Sequence, residues 1–234
     1  KRATEEVVEI NLKNVTVDED IWVTQRVTRG MDAGDKRQWP DYPDRTVLVE
    51  SRALPLRERG KFYRDGIKLV TPSIRRPSPD TLSPRAKTHN YLNLVIAELE
   101  VKDRDPDAHA LLLDTNGNLA EGKGSNIFIV KDGAVITPKE RYVLPGVSRQ
   151  TAKDLATAQN LRVEEADIDL YDAINADEMF ITSTSFCICP VGSFNGNVIG
   201  DGAVPGPITK NLIDAYVDYV GCDWYGQYLK HSND

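Results

Sequence analysis

The amino-acid sequence predicts an α+β fold in which strand hairpins and helices alternate. Three observations support this prediction: turn signatures between short strands, stretches with helical spacing of apolar residues, and enough apolar residues for a core. The turn signatures each contain an Asn-Gly or Asp-Gly pair, and they lie at 115–118, 131–133 and 195–197. The chain has 234 residues, of which 40% are hydrophobic, so it can bury a core without disulfides or bound metals.

The N-terminal region, residues 1–50, is predicted to be the remnant of a small α+β domain. Apolar spacing predicts one helix and alternation predicts two strands, over 3–15, 21–28 and 46–50. Residues 31–44 are expected to form a polar loop that contains Lys36 and Arg37.

Residues 51–86 are predicted to connect this small domain to a larger one. A strand is expected over 67–74, and four prolines in and after it keep the chain extended, because proline cannot continue a long helix. The four are Pro72, Pro77, Pro79 and Pro84.

Residues 87–234 are predicted to form the larger α+β domain. Helical spacing predicts three helices, over 89–102, 148–160 and 207–220. In the first helix, four apolar side chains are expected to face inward: Leu92, Val95, Ile96 and Leu99. Alternation predicts two further strands, over 178–184 and 187–193.

Charge and cysteine content narrow the class of protein. The net charge of −7 argues against a nucleic-acid-binding protein, which would carry a basic excess. No apolar run is long enough to cross a membrane, and no signal peptide is visible. The three cysteines are too few for a disulfide framework and fit the reducing cytoplasm.

A metal site is not expected. Cys187 and Cys189 share one face of a predicted strand, which permits a metal pair or two buried thiols. No third ligand lies nearby in sequence, and the three histidines are scattered, so buried thiols are the favoured interpretation.

Two residues could carry chemistry in the larger domain. Lys87 follows the proline-rich connector, and a lysine becomes a nucleophile when burial or a nearby cation lowers its pKa. Most lysines are simply solvated, so Lys87 alone indicates little. Glu121 is followed by two glycines that would let a flat ring approach the backbone. It is either a surface residue of a turn or a carboxylate that keeps a pyridine nitrogen protonated.

Two segments could bind an anion. Residues 144–149 lead into a predicted helix, whose free N–H groups and Ser148 would attract a phosphate, although an ordinary N-cap has the same sequence. Residues 182–185 are a hydroxyl-rich strand end, which is either a set of further phosphate donors or a polar surface.

In this order and spacing, these motifs resemble the class IV (fold-type IV) aminotransferases, which use pyridoxal 5'-phosphate. The resemblance extends from about Thr24 to Lys210. Its motifs are the four above together with 27–30, 90–91, 131–133, 177–178, 190–191 and 206–210. It implies a two-domain fold whose small N-terminal domain is incomplete in this chain, because the family normally has a stretch before residue 1.

The resemblance implies a role for each candidate residue. Lys87 would attach the cofactor through its aldehyde and later carry a proton between substrate and cofactor. Glu121 would pair with the pyridine nitrogen, and Tyr91 would lie near the ring hydroxyl. The remaining residues would pack on the ring or hold the phosphate: Leu144, Val147, Ser148, Ser183 and Thr184.

The resemblance also implies an activity, the transfer of an amino group from an amine or amino acid to a 2-oxo acid such as pyruvate. The spacing from Lys87 to Tyr91 and the pair Arg75-Arg76 favour an (R)-amine type. Residues 90–92 and 177–180 resemble the branched-chain type equally well. A D-amino-acid aminotransferase, a lyase similar to aminodeoxychorismate lyase and a non-catalytic relative are the alternatives.

Substrate contacts and assembly are further expectations from the resemblance. Arg37, with Lys36, would receive the carboxylate of the acceptor, since a planar guanidinium suits a carboxylate. A solvated loop charge is the other interpretation. Ser185 is a third candidate for the substrate pocket. The family implies a homodimer.

Overall fold

The computed structural model describes residues 1–16, 20–30 and 45–232. These form two compact units, Lys1–Leu56 and Arg57–Asp234. Helices and strands occur in both units, which confirms the predicted α+β class.

The smaller unit is a helix with a two-stranded antiparallel sheet. Its elements are α1 (Arg2–Leu12), β1 (Ile21–Val27) and β2 (Val47–Ala53). An ion pair of 2.7 Å between Arg26 and Glu50 joins the two strands. The loop with Lys36 and Arg37 lies outside the described residues.

The larger unit contains the other helices and strands of the described chain. The helices are α2 (Leu56–Asp65), α3 (Leu92–Arg104), α4 (Val147–Ala158), α5 (Leu170–Ile174), α6 (Pro207–Val220) and α7 (Trp224–Leu229). The strands are β3 (Ile67–Val70), β4 (Ala108–Leu113), β5 (Leu119–Gly122), β6 (Asn126–Lys131), β7 (Ala134–Pro138), β8 (Arg162–Ala166), β9 (Glu178–Ser183), β10 (Cys187–Phe194) and β11 (Asn197–Val198).

Six of these strands close into a ring, in the order β3-β4-β5-β6-β9-β10 and back to β3. Within the ring, β3 runs parallel to both β4 and β10, and the remaining pairs are antiparallel. β7 and β8 extend the sheet from β6, and β11 extends it from β10. The polar turns at 115–118, 131–133 and 195–197 join the antiparallel neighbours, as the turn signatures predict.

The core lies along the ring strands and the helices that cover them. Phe128 of β6 faces Phe180 of β9 in the strand register, and their rings stack with centroids 4.8 Å apart. α4 and α6 pack on β9 and β10 and bury Ala152, Leu212 and Ile213. This packing sets the position of the first turn of α4, which matters for the site below.

The first helix predicted within residues 87–234, which is α3, differs from its prediction. α3 begins at Leu92 and not at residue 89, and it buries Leu94, Ala97, Glu98 and Val101. The expectation that Leu92, Ile96 and Leu99 face inward is wrong, since these side chains are 68%, 44% and 62% exposed. Apolar residues occupy both sides of this helix, so the apolar spacing alone did not identify the buried side.

The predicted connector contains regular structure that belongs to the larger unit. In α2, Tyr63 is fully buried, and β3 lies between β4 and β10 in the ring. Residues 71–91, which include the four prolines, contain neither helix nor strand. The prolines therefore exclude regular structure only downstream of β3.

No helix among the described residues is long and apolar enough to span a membrane. Within the same ranges, no disulfide joins the three cysteines, and no group of three histidine, cysteine or acidic side chains converges as metal ligands. Cys189 is buried in β10, where burial raises the pKa of its thiol.

Candidate active site

A cavity of about 340 Å³ opens in the larger unit, a size typical of small-molecule sites. Four stretches of chain converge on it: residues 82–91, 121–126, 144–148 and 182–184. It brings together the eight residues that the sequence proposed for the cofactor, namely Lys87, Tyr91, Glu121, Leu144, Val147, Ser148, Ser183 and Thr184.

The proposed substrate residues are placed differently. Ser185 follows Thr184 directly but does not line the cavity, and its hydroxyl accepts a hydrogen bond of 2.9 Å from Arg59. Lys36 and Arg37 lie outside the described residues. The geometry therefore bears on the proposed cofactor residues, and not on the proposed loop contact with the acceptor.

Glu121 is a buried carboxylate with two strong partners. It is the residue before Gly122, the last residue of β5, and is 6% exposed. Its Oε1 lies 2.8 Å from Nη2 of Arg76, and its Oε2 accepts a hydrogen bond of 3.0 Å from the backbone N–H of Leu144. Burial raises the pKa of Glu121, and the positive charges of Arg76 and Lys87 together with the Leu144 hydrogen bond oppose that rise.

Both backbone polar groups of Leu144 are held by adjacent strands. While Glu121 accepts its N–H, Nδ2 of Asn126 donates to its carbonyl oxygen at 2.9 Å. Glu121 and Asn126 face each other in the register of β5 and β6. A Cβ on Gly146 would lie 2.3 Å from Oδ1 of Asn126, so a larger residue there would displace the side chain that donates to the Leu144 carbonyl.

The N-terminus of α4 meets the cavity without a side-chain cap. Gly146 is its N-cap residue and provides no hydrogen bond from a side chain, and Val147 and Ser148 form the first turn. Helix α6 also begins after a glycine, but its first turn is capped. There, Glu178 accepts from the N–H groups of Ile208 and Thr209 at 2.8 and 2.7 Å.

This contrast has a chemical consequence. The first N–H groups of a helix have no partner within the helix and carry partial positive charge. In α6 a buried carboxylate already satisfies them, whereas those of α4 remain available to an anion in the cavity. Ser148 adds a hydroxyl, which is 3.4 Å from the hydroxyl of Tyr216.

Lys87 lies in the irregular segment between the prolines and α3. It is exposed at the cavity, and its charge is close enough to Glu121 to lower the pKa of that carboxyl. Tyr91 is the N-cap residue of α3 and also lines the cavity. A primary amine and a buried carboxylate therefore share one enclosed space.

Two buried polar atoms in the wall have no hydrogen-bond partner in the described part of the chain. They are Nε of Arg76 and Oγ1 of Thr182. A buried polar group without a partner is costly, and a ligand that supplies partners relieves that cost. The donor set suits a flat ring with a pyridine nitrogen and a phosphate, because it combines a carboxylate, an uncapped helix and spare donors.

Two polar residues of the wall, Arg76 and Asn126, received no role in the site from the sequence, and Thr182 was considered only as a phosphate donor within residues 182–185. Asn126 and Thr182 lie in the middle of predicted strands or motifs and are buried polar residues. Arg76 entered the sequence argument only as part of a substrate pattern. The sequence offered one indication for Asn126, namely that it is a polar residue close to the candidate carboxylate Glu121. Only the register of β5 and β6 shows that the two residues face each other.

Comparison with known proteins identifies similar chains. The family model for amino-transferase class IV matches residues 1–194. The chain is 40% identical over 151 residues to branched-chain-amino-acid aminotransferase-like protein 1 of Arabidopsis thaliana, covering 64% of this chain and 27% of that protein. It is 31% identical over 213 residues to a D-alanine aminotransferase of Bacillus licheniformis, covering 91% of this chain and 70% of that protein.

Solved structures show the same fold. A branched-chain amino acid aminotransferase from Thermobaculum terrenum, crystallised in its PLP form, superimposes with a TM-score of 0.76 and 30% identity. The superposition covers 99% of this chain and 72% of that one. The chain thus spans about a quarter of the Arabidopsis relative and nearly three quarters of the crystallised one.

Proposed function

This chain belongs to the class IV aminotransferases, a family of pyridoxal-phosphate enzymes, and on that premise we propose that it moves an amino group from an amino acid or amine to a 2-oxo acid. The observation that carries the proposal is the cavity that unites Lys87, Glu121 and the uncapped start of α4. A lysine, a buried carboxylate and an anion site are the three parts that this chemistry requires.

The proposed roles follow from the contacts of each residue. Glu121 would hold a proton on the pyridine nitrogen, since its carboxylate is buried and can accept one more hydrogen bond. The first turn of α4, with Ser183 and Thr184, would hold the phosphate. Tyr91 and Leu144 would border the ring.

Lys87 is proposed as the catalytic residue. Its Nζ would attach the cofactor and, once the donor amine has replaced it, would carry the proton from the substrate carbon to the carbon of the cofactor that had held the lysine. When bound, pyridoxal phosphate supplies an electron-accepting ring for the electron pair that this proton leaves behind.

The donor is the finer part of the proposal. Relatives named branched-chain-amino-acid aminotransferases favour a branched-chain L-amino acid with 2-oxoglutarate as acceptor. The (R)-amine type with pyruvate is the second candidate, favoured by the Lys87–Tyr91 spacing. The D-alanine aminotransferase of B. licheniformis supports D-amino acids as a third candidate class of donor.

A donor and acceptor panel on the full-length protein tests this proposal. Leucine or valine with 2-oxoglutarate, (R)-1-phenylethylamine with pyruvate, and D-alanine with 2-oxoglutarate should separate the three donor classes. Pyruvate release from aminodeoxychorismate without an acceptor would instead indicate a lyase. If no pair turns over with added cofactor, the aminotransferase proposal fails.

The role of Lys87 has its own test. We expect Lys87→Ala to lose turnover and the visible absorbance of the attached cofactor, because Lys87 is the cavity lysine whose charge reaches Glu121. Lys139→Ala is the matched control, since Lys139 is an exposed lysine paired with Asp167 outside the cavity. Retention of both activity and absorbance in Lys87→Ala would assign the attachment to another residue.

Assembly and location complete the proposal. A homodimer is supported by the exposed apolar side chains of Leu92, Ile96 and Leu99 on α3, the helix whose N-cap residue borders the cavity. The absence of any disulfide among the described cysteines supports a reducing compartment, the cytoplasm.

A further inference from the structure

Arg76 is the closest charged neighbour of the buried carboxylate of the site. Its side chain is 11% exposed, that of Glu121 is 8% exposed, and the two are 2.8 Å apart. The other ion pairs of comparable length in the larger unit, such as Lys139 with Asp167, are mostly half exposed. An ion pair this buried is weakly screened by solvent, so the loss of one partner matters far more than at the surface.

The backbone of Arg76 is fixed as well as its side chain. Its N–H donates to the carbonyl oxygen of Leu113 at 2.9 Å, which fastens the segment after β3 to the end of β4. The guanidinium therefore reaches Glu121 from an anchored position. The contact with the carboxylate is made by Nη2, whereas Nε has no partner in the described chain.

Glu121 depends on this guanidinium because the rest of its surroundings are poor in charge. The N–H of Leu144 is its other direct partner, and Lys87 acts only through its charge. Under the proposed function Lys87 becomes attached to the cofactor, and it then no longer acts on Glu121 as a free ammonium group. Arg76 then remains the one permanent cation beside Glu121 among the described side chains.

We propose that Arg76 is a positioning residue that keeps the Glu121 carboxylate ionised and directed into the cavity, and that it acts on the pyridine nitrogen of the cofactor only through Glu121. The inference rests on the proposed function, because Glu121 is proposed there to pair with that nitrogen. It adds a residue to the site that lies outside the cofactor and substrate contacts inferred from the sequence.

The first experiment uses the holoenzyme and follows the absorbance of bound cofactor from pH 6 to pH 9. Arg76→Met should raise the midpoint pH of the absorbance change, in the same direction as Glu121→Gln. A buried carboxylate without its cation takes up a proton, so Glu121 would become neutral in this variant, as the glutamine is. Arg76→Lys should restore the wild-type profile at least in part, since it keeps the charge. Arg104→Met, which removes an exposed cation on α3, is the control and should match the wild type.

The double variant separates an indirect role from a direct one. If Arg76 acts only through Glu121, Arg76→Met combined with Glu121→Gln should behave like Glu121→Gln alone. Additive effects would show that Arg76 contacts the cofactor or substrate itself and would overturn the proposal. An unchanged pH profile in Arg76→Met would overturn it too.

A second experiment needs no cofactor and distinguishes the failure of this inference from the failure of the proposed function. Without Arg76 the folded protein must hold an uncompensated carboxylate at high pH, so Arg76→Met should lose more stability at pH 8 than at pH 5, measured by urea unfolding of the cofactor-free protein. An equal loss at both pH values would refute the ion pair as the source of the effect. If the wild type binds no pyridoxal phosphate, the proposed function fails. The unfolding experiment would still show whether Arg76 stabilises the ionised Glu121 carboxylate.

Discussion

At the scale of single residues, Leu144 links the parts of the site although its side chain is unremarkable in sequence. Its peptide N–H is held by Glu121 and its carbonyl by Asn126. Pro145, Gly146 and the first turn of α4 follow, and Gly146 lies against the side chain of Asn126. The carboxylate end and the anion end of the cavity therefore share one short backbone segment.

This arrangement makes Asn126 a testable support of the anion site. In Asn126→Ala the carbonyl of Leu144 loses one of its two donors and keeps the other, the N–H of Gly146. The lost hydrogen bond costs about 1 kcal/mol or more, and the loop beside Gly146 loosens. We expect the dissociation constant for pyridoxal phosphate to rise roughly tenfold, as measured by absorbance or fluorescence titration.

The control for that measurement is Asn175→Ala. Asn175 makes a similar bond of 2.8 Å from its side chain to a backbone carbonyl, that of Tyr171, but does so outside the cavity. Cofactor affinity should be unchanged in this variant. Equal affinities of the two variants would show that Asn126 has no special part in the anion site.

The sequence located residues whose chemistry is visible in a local motif and missed those that depend on pairing. Lys87, Glu121 and Ser148 each stand in a short recognisable segment, and all three line the cavity. Arg76 contacts Glu121 from a segment that is remote in sequence, so the ion pair exists only once β3, β4 and β5 are side by side. The same limit applies to Asn126, whose role requires the register of two strands.

At the scale of elements, short-range rules predicted more than long-range pairing. The hairpin turns and the span of α6 follow from local chemistry, with Pro207 in the first turn and Gly221 in the left-handed conformation at the end. The parallel pairing of β3 with β4 and β10 has no local signature. The sequence analysis predicts a connector over residues 51–86, because this region is rich in proline, and so it does not predict the amphipathic helix α2.

The junction of α3 and β4 contains a buried acid whose state should depend on pH. Glu98 is 7% exposed, lies 2.9 Å from Nδ1 of His109 and accepts the N–H of Ala110 at 3.0 Å. Burial alone would raise the pKa of Glu98, but these hydrogen bonds, with the charges of His109 and Lys102, outweigh it and lower the pKa below its ordinary value.

A lowered pKa in the folded state fixes the sign of the effect. The stabilisation by ionised Glu98 is complete above the pKa of the unfolded chain and is lost as the pH falls through that value toward the folded pKa. We expect Glu98→Gln to flatten the loss of unfolding free energy below about pH 5. Urea unfolding from pH 7 to pH 3 measures this, with exposed Glu58→Gln as the control. A wild-type acid slope in Glu98→Gln would contradict it.

At the scale of the whole molecule, the cavity belongs entirely to the larger unit, while an apolar stripe on the same unit faces outward. The stripe consists of Leu92, Ile96 and Leu99, spaced so that they lie along one side of α3. Exposed apolar side chains in a row are costly in water and mark contact surfaces. In the proposed homodimer this stripe would be covered.

We therefore expect the full-length protein to have the mass of two chains in sedimentation or light scattering, and Ile96→Glu to shift it toward one chain. A charge at the centre of a buried apolar contact would remain without a partner. Val198→Glu is the control, because Val198 on β11 is 64% exposed, more than Ile96, but lies off the stripe. A wild type of single-chain mass, or a dimer indifferent to Ile96→Glu, would remove α3 from the interface.

The double hold on Leu144 has a final consequence for which ligands the cavity accepts. Glu121 and Asn126 hold Leu144, which lies two residues before the N-cap of α4. The distance between the Glu121 carboxylate and the start of α4 is therefore held fixed. A ligand that contacts both Glu121 and the start of α4 would have to match this distance. A pyridoxal without its phosphate would contact Glu121 but not the start of α4. Under the proposed function the cavity would therefore select its occupant by length, and the two hydrogen bonds of a single residue, Leu144, would set that length.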